Sequence, residues 1–129
     1  MPTPITLTVG ELQLAGHLND SPTAAALIPL LPLTIQMRRW GDEYYGSLPR
    51  KLAIGQAPDA REEMAVGELA YWPPGNALCI FFGPTPASTG NEPRAASPVN
   101  PVGIISGDTT TLKKLGDRIE MTVSKQERG

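Results

Sequence analysis

Apolar residues recur at every second position in several short runs of this chain. Ile5, Leu7 and Val9 alternate with Thr6 and Thr8, and Leu12, Leu14, Gly16 and Leu18 alternate with Gln13, Ala15 and His17. A period of two sends successive side chains to opposite faces of an extended backbone, so each run predicts a half-buried strand. Gly10-Glu11 turns the chain between them, which makes a hairpin with His17 on its polar side. Leu33, Ile35 and Met37 repeat the pattern. A loop over 38–43 and a strand over 44–48 follow. Further strands are predicted over 61–66, 69–72, 78–82 and 102–106, and Ile119, Met121 and Val123 mark a last one. Gly67-Glu68 and Pro73-Pro74-Gly75-Asn76 separate the middle strands.

Two short helices interrupt this series. Asn19-Asp20-Ser21-Pro22 combines capping side chains with a proline suited to a first turn, and Pro29 ends the helix it starts. Asp108 caps a second helix over 109–115, stopped by Gly116. The segment 83–101 carries Pro84, Pro86, Pro93, Pro98 and Pro101, too much fixed φ for a regular element, and it is predicted to be a long irregular loop. Loops of that length in compact domains are commonly functional. Residues 125–129 are expected to be a frayed polar tail. About eight short strands at this size leave two sheet edges that closure into a barrel removes. The expected fold is therefore mainly β, a closed barrel of about eight strands with two short helices, as one domain over 1–129.

Composition narrows the function classes. The formal charge of −2, with basic residues scattered in short pairs, lacks the concentrated cationic face that a nucleic-acid binder needs. No apolar run approaches the length of a bilayer span, and the N-terminal residues carry no basic, apolar leader pattern. The expectation is a cytoplasmic protein with neither nucleic-acid nor membrane partners, a monomer or homodimer. One cysteine and one histidine exclude an internal disulfide and a metal cluster, so neither metal nor cofactor is expected. Cys79, within an apolar strand, reads as an inert core residue. Asp42-Glu43 point to opposite faces if extended, and pairing with Arg38 or Arg39 across the turn is the expectation for them. Glu62-Glu63 reads as a solvated edge.

Four stretches in order resemble the cyclophilins: Asp20-Ser21-Pro22-Thr23-Ala24, then Gly67-Glu68-Leu69-Ala70 with Phe81-Phe82, then Val102-Gly103-Ile104-Ile105 with Gly107, then Leu112 with Leu115. A closer similarity is to a bacterial and archaeal family of cyclophilin-like proteins. It rests on Trp40-Gly41-Asp42-Glu43, on the run from Tyr71 to Pro86, and on Ala96-Ser97-Pro98-Val99-Asn100. That resemblance implies the cyclophilin-like barrel but no activity.

Cyclophilins rotate the peptide bond before proline by stabilising a twisted amide, with an arginine, a glutamine and an aromatic pocket. Laid on that pattern, Phe82 takes a pocket aromatic position and Ile80 stands where glutamine is expected. No arginine falls within 44–48, and the family's histidine and tryptophan positions fall near Val99 or Asn100 and near Arg94. The resemblance therefore implies an aromatic floor without the cationic group, and an arginine packed over the Phe82 ring would reverse that expectation. A one-residue slip would exchange the faces of these side chains.

No catalytic residues are assigned. The candidate ligand-binding residues are Trp40, Trp72, Asn76, Phe82, Thr85, Ser88, Arg94, Ser97 and Asn100, an aromatic block beside a polar loop of the kind a ligand pocket requires. The leading expectation is a binding domain for a small molecule or peptide. A weak prolyl isomerase and a protein-interaction domain or subunit are the alternatives.

Overall fold

The computed structural model describes residues 2–126. The predicted hairpin is present as β1 (Thr3–Val9) and β2 (Leu12–Leu18), with Ile5, Leu7, Leu14 and Leu18 buried. Helix α1 (Pro22–Leu27) starts where the Ser21 hydroxyl accepts the Ala24 N–H, and it runs into a 3-10 turn (Ile28–Leu30) at the prolines. The following strands are β3 (Leu33–Arg39), β4 (Glu43–Ser47), β5 (Arg61–Glu63), β6 (Glu68–Trp72), β7 (Ala77–Phe81), β8 (Arg94–Ile105) and β9 (Arg118–Lys125). The helix expected over 109–115 is a 3-10 helix, Thr109–Lys114, capped by Asp108 as anticipated. The strand expected over 61–66 is limited to β5. Lys125 belongs to β9 rather than to a tail, and 127–129 lie outside the described residues.

The strands form a closed ring in the order β2-β1-β9-β3-β4-β7-β6-β8, with β8 returning to β2 and β5 added along β8. The closing seam pairs Gly16 with Ile105, His17 with Ile104 and Leu18 with Gly103. There the strands lie so close that a Cβ on Gly103 would sit 2.3 Å from the His17 carbonyl oxygen, and one on Gly16 would sit 2.7 Å from that of Ile104. Only glycine tolerates such an approach.

Period-two alternation divides the buried residues between two cores. Inside the ring are Ile5, Leu7, Ile35, Met37, Tyr44, Leu69, Tyr71, Leu78, Ile80, Phe82, Val102 and Met121, joined by Ala24 and Leu27 of α1 and by Leu112. The intervening residues face outward. Ala70, Cys79 and Phe81 form a second, smaller core with Met64, Ala95 and Val99, and Tyr45 and Trp72 pack against it.

That outer core exists because β8 is much longer than the sequence pattern suggested. The irregular loop expected over 83–101 ends at Pro93, and a strand begins at Arg94. Pro98 and Pro101 are accommodated beside register shifts, one in the β5–β8 pairing and one in the β6–β8 pairing. At such irregularities a missing N–H breaks no regular ladder. The second half of β8 lies in the ring. The first half pairs with β5 and covers the outer face of β6 and β7.

Candidate functional site

Between that cover and the ring lies a groove of about 330 Å³, lined by Trp40, Glu43, Tyr45, Trp72, Cys79, Ala95, Ala96 and Val99. The parity of β4 and β7 places its floor. Tyr44 points into the barrel, so Glu43 and Tyr45 point out, opposite Phe81 and Cys79 on β7. Trp40 reaches the same place through the β3–β4 turn, where the Trp40 N–H donates to the Glu43 carbonyl at 2.8 Å and the Glu43 N–H donates back at 3.2 Å. Gly41 sits at φ +61°, the left-handed conformation this tight turn needs. The Asp42 N–H donates to the Pro84 carbonyl at 2.9 Å and clasps the turn to the next loop. Trp72, at the end of β6, donates its indole N–H to the Ser97 hydroxyl of the cover at 2.6 Å, which fixes the ring against β8.

Glu43 is 5% exposed, and its Oε1 has no hydrogen-bond partner among the described residues. Burial raises its pKa to about 7, against a smaller opposing effect of a hydrogen bond with Cys79. Burial together with the nearby Glu43 carboxyl pushes the Cys79 thiol well above its ordinary value. The arginine pairing expected for this acidic dipeptide holds for Asp42, which meets Arg39 at 2.8 Å, but not for Glu43. Glu43 was missed as a site residue because the acidic pair was expected to be answered by Arg38 or Arg39 across the turn. Its burial follows only once Tyr44 is known to face inward.

Of the candidates, Trp40 and Trp72 line the groove, and Ser97 anchors Trp72 from the cover. The others have structural positions. Phe82 is 1% exposed inside the barrel, stacked on Tyr44 with ring centroids 5.4 Å apart, and the outward phenylalanine is Phe81. Asn76, at φ +48°, accepts from the Leu52 N–H and the Tyr71 hydroxyl and donates to the Arg50 carbonyl. Thr85 and Ser88 brace the loop before β8, the Thr85 hydroxyl donating to the Arg94 carbonyl and the Ser88 hydroxyl accepting from the Thr85 N–H. Arg94 pairs with Glu62, Glu63 and Glu92. Asn100 is buried, accepting from the Ala57 N–H and donating to the Thr23 hydroxyl and the Gly55 carbonyl.

One expectation is reversed. Arg39 does stand over the Phe82 ring, its guanidinium carbon 5.2 Å from the centroid, and over Tyr44 at 5.9 Å. Four of the five guanidinium N–H groups are engaged. They donate to the carbonyls of Gly41, Lys113 and Leu115 and to the Asp42 carboxylate, at 2.8–3.1 Å. Beneath it Phe82 is sealed into the core.

A family model for cyclophilin-like proteins matches residues 3–124, and the chain belongs to that family. A hypothetical protein from Archaeoglobus fulgidus, known from its solution structure, matches 97% of this chain and 95% of its own at a TM-score of 0.77 and 28% sequence identity. No curated protein matches the chain in sequence. Among the described residues no helix is long and apolar enough to cross a membrane, and no group of three or more metal-ligating side chains converges.

Proposed function

We propose that this protein is a binding module that holds a small molecule in the groove between the outer face of β4–β7–β6 and the first half of β8. The observation that carries the reading is the Glu43 carboxyl, buried with one oxygen unsatisfied in a groove otherwise lined by aromatic and small apolar side chains. Buried polar atoms nearly always have partners, and an unpaired one in a concave apolar site calls for a donor from outside the chain. The groove is within the size range of small-molecule sites. The aromatic block and the segment before Pro101 meet there, joined by the Trp72–Ser97 hydrogen bond.

Binding without isomerisation is the better-supported form of this reading. Among the described residues no arginine or lysine lines the groove, and the guanidinium over the Phe82 ring has acceptors of its own. A protease-coupled assay on an X-Pro peptide is expected to run at the blank rate. A small-molecule library screened against the isotopically labelled protein tests the site. Shifts should concentrate at the Trp40 and Trp72 indole N–H groups and at Ala95, Ala96 and Val99. A library that moves only resonances outside this groove, or none at all, contradicts the proposal.

A further inference from the structure

We infer that the groove's occupant is a small organic ammonium ion, a protonated primary or secondary amine on a compact apolar body, whose N–H donates to Glu43 Oε1. The inference rests on the binding reading above and narrows it to a chemical class. Among the described residues lining the groove, Glu43 is the one carboxylic or basic side chain. The two arginines of the cover are turned to other carboxylates, Arg61 to Glu68 and Arg94 to Glu62, Glu63 and Glu92. The site therefore offers negative charge with no basic side chain of its own to answer it.

The surrounding rings favour the same ligand. Trp40, Tyr45 and Trp72 are half-buried around the carboxyl, and the faces of such rings attract cations, tryptophan most strongly. An anion would meet only the carboxyl and the electron-rich rings. A neutral hydrocarbon would shut Glu43 away from water and leave its oxygen unpaired. A quaternary ammonium would satisfy the rings but brings no N–H for Oε1. A protonated amine satisfies both, through a charge-assisted hydrogen bond in a poorly hydrated site. With a volume of about 330 Å³ the groove has room for an amine on a single six-membered ring rather than for a folded peptide.

Three probes of one shape separate these cases: benzylamine, benzyl alcohol and benzyltrimethylammonium, titrated at about pH 8, where Glu43 is mostly ionised and the amine mostly protonated. The readout is the Trp40 and Trp72 indole N–H resonances of the full-length protein. Benzylamine is expected to bind at least about tenfold more tightly than either competitor, the difference a charge-assisted hydrogen bond supplies. Glu43→Gln should retain weak binding of the alcohol and lose the preference for the amine. The inference falls if the alcohol or the quaternary ion binds wild type as tightly as the amine, while the groove reading then stands. It falls equally if the amine preference survives in Glu43→Gln. If none of the probes shifts the indole resonances at tens of millimolar, the inference and the groove reading both fail for this ligand size. The wild-type ranking alone decides the matter should Glu43→Gln not fold.

Discussion

Glu43 and Cys79 are diagonal neighbours across the β4–β7 ladder, both turned to the outer face and both lining the groove. The same burial raises the pKa of both, Glu43 to about 7 and Cys79 well above its ordinary value, so near neutral pH the carboxyl is divided between its two forms while the thiol stays protonated. The chemistry of the groove at neutral pH is set by this pair.

Stability should fall as pH rises between about 4.5 and about 7. In the unfolded chain Glu43 ionises near its ordinary value of 4.5, and in the folded protein it holds its proton to about 7. Across that window the native state binds the extra proton, so raising the pH favours unfolding, by up to about 3 kcal/mol once pH exceeds the folded value. Below 4.5 the contribution of Glu43 is fully present. Denaturant titrations of wild type and Glu43→Gln at pH 4.5 and 7.5 check this, and the variant should lose most of the pH slope.

Cys79 should be nearly inert in the native state. It is 2% exposed and its thiol is held protonated, whereas the thiolate is the reactive species. A disulfide reagent at pH 8 is expected to label the native protein at least on the order of 100-fold more slowly than the denatured protein, because reaction waits for the β5–β8 cover to open. Labelling at the denatured rate would mean that the cover is open.

Replacing Arg39 should loosen one end of the barrel. Its guanidinium satisfies the carbonyls of Lys113 and Leu115 and of Gly41, and it lies over the Phe82 and Tyr44 rings. Arg39→Met keeps the apolar stem and strands those acceptors, with an expected loss of about 2 kcal/mol in chemical denaturation. Arg39→Lys should recover less than half, since an ammonium cannot reproduce the planar fork.

Asn100→Ala should cost about 3 kcal/mol. The side chain is 1% exposed and ties α1, through Thr23, to the backbone at Gly55 and Ala57. Its removal leaves a buried donor and two acceptors unpaired. Asn100→Asp, close in shape, sets a carboxylate oxygen against the Gly55 carbonyl and buries a charge, and should be no better tolerated. Thermal melts of the two variants test this directly.

The alternation of Ile5-Leu7, Leu14-Leu18, Leu33-Ile35-Met37 and Ile119-Met121-Val123 exposed the frame of the fold without any tertiary information. Each such strand has one face on the core, and period two follows from that. The pattern gave out where both faces are buried. In β7 every residue is buried, and Phe81 and Phe82 cannot be assigned to inner or outer core until the pairing of Glu43 with Phe81 is known. In β8 the prolines spoke against a strand, although they fall where the ladder is already irregular. Trp40, Trp72 and Ser97 were visible as candidates through family resemblance and aromatic scarcity. Glu43 was not, because its distinction is an environment, and half of that environment, Cys79, Ala95, Ala96 and Val99, comes from strands distant in the chain.

The glycines at Gly16 and Gly103 carry a wider consequence. The seam that closes the cylinder is held by three residue pairs, and neither of its glycines has space for a methyl group, so closure depends on bare main chain at two sites. A side chain at either site should therefore part these two strands. The opened molecules would expose two unpaired strand edges and be prone to strand-to-strand self-association.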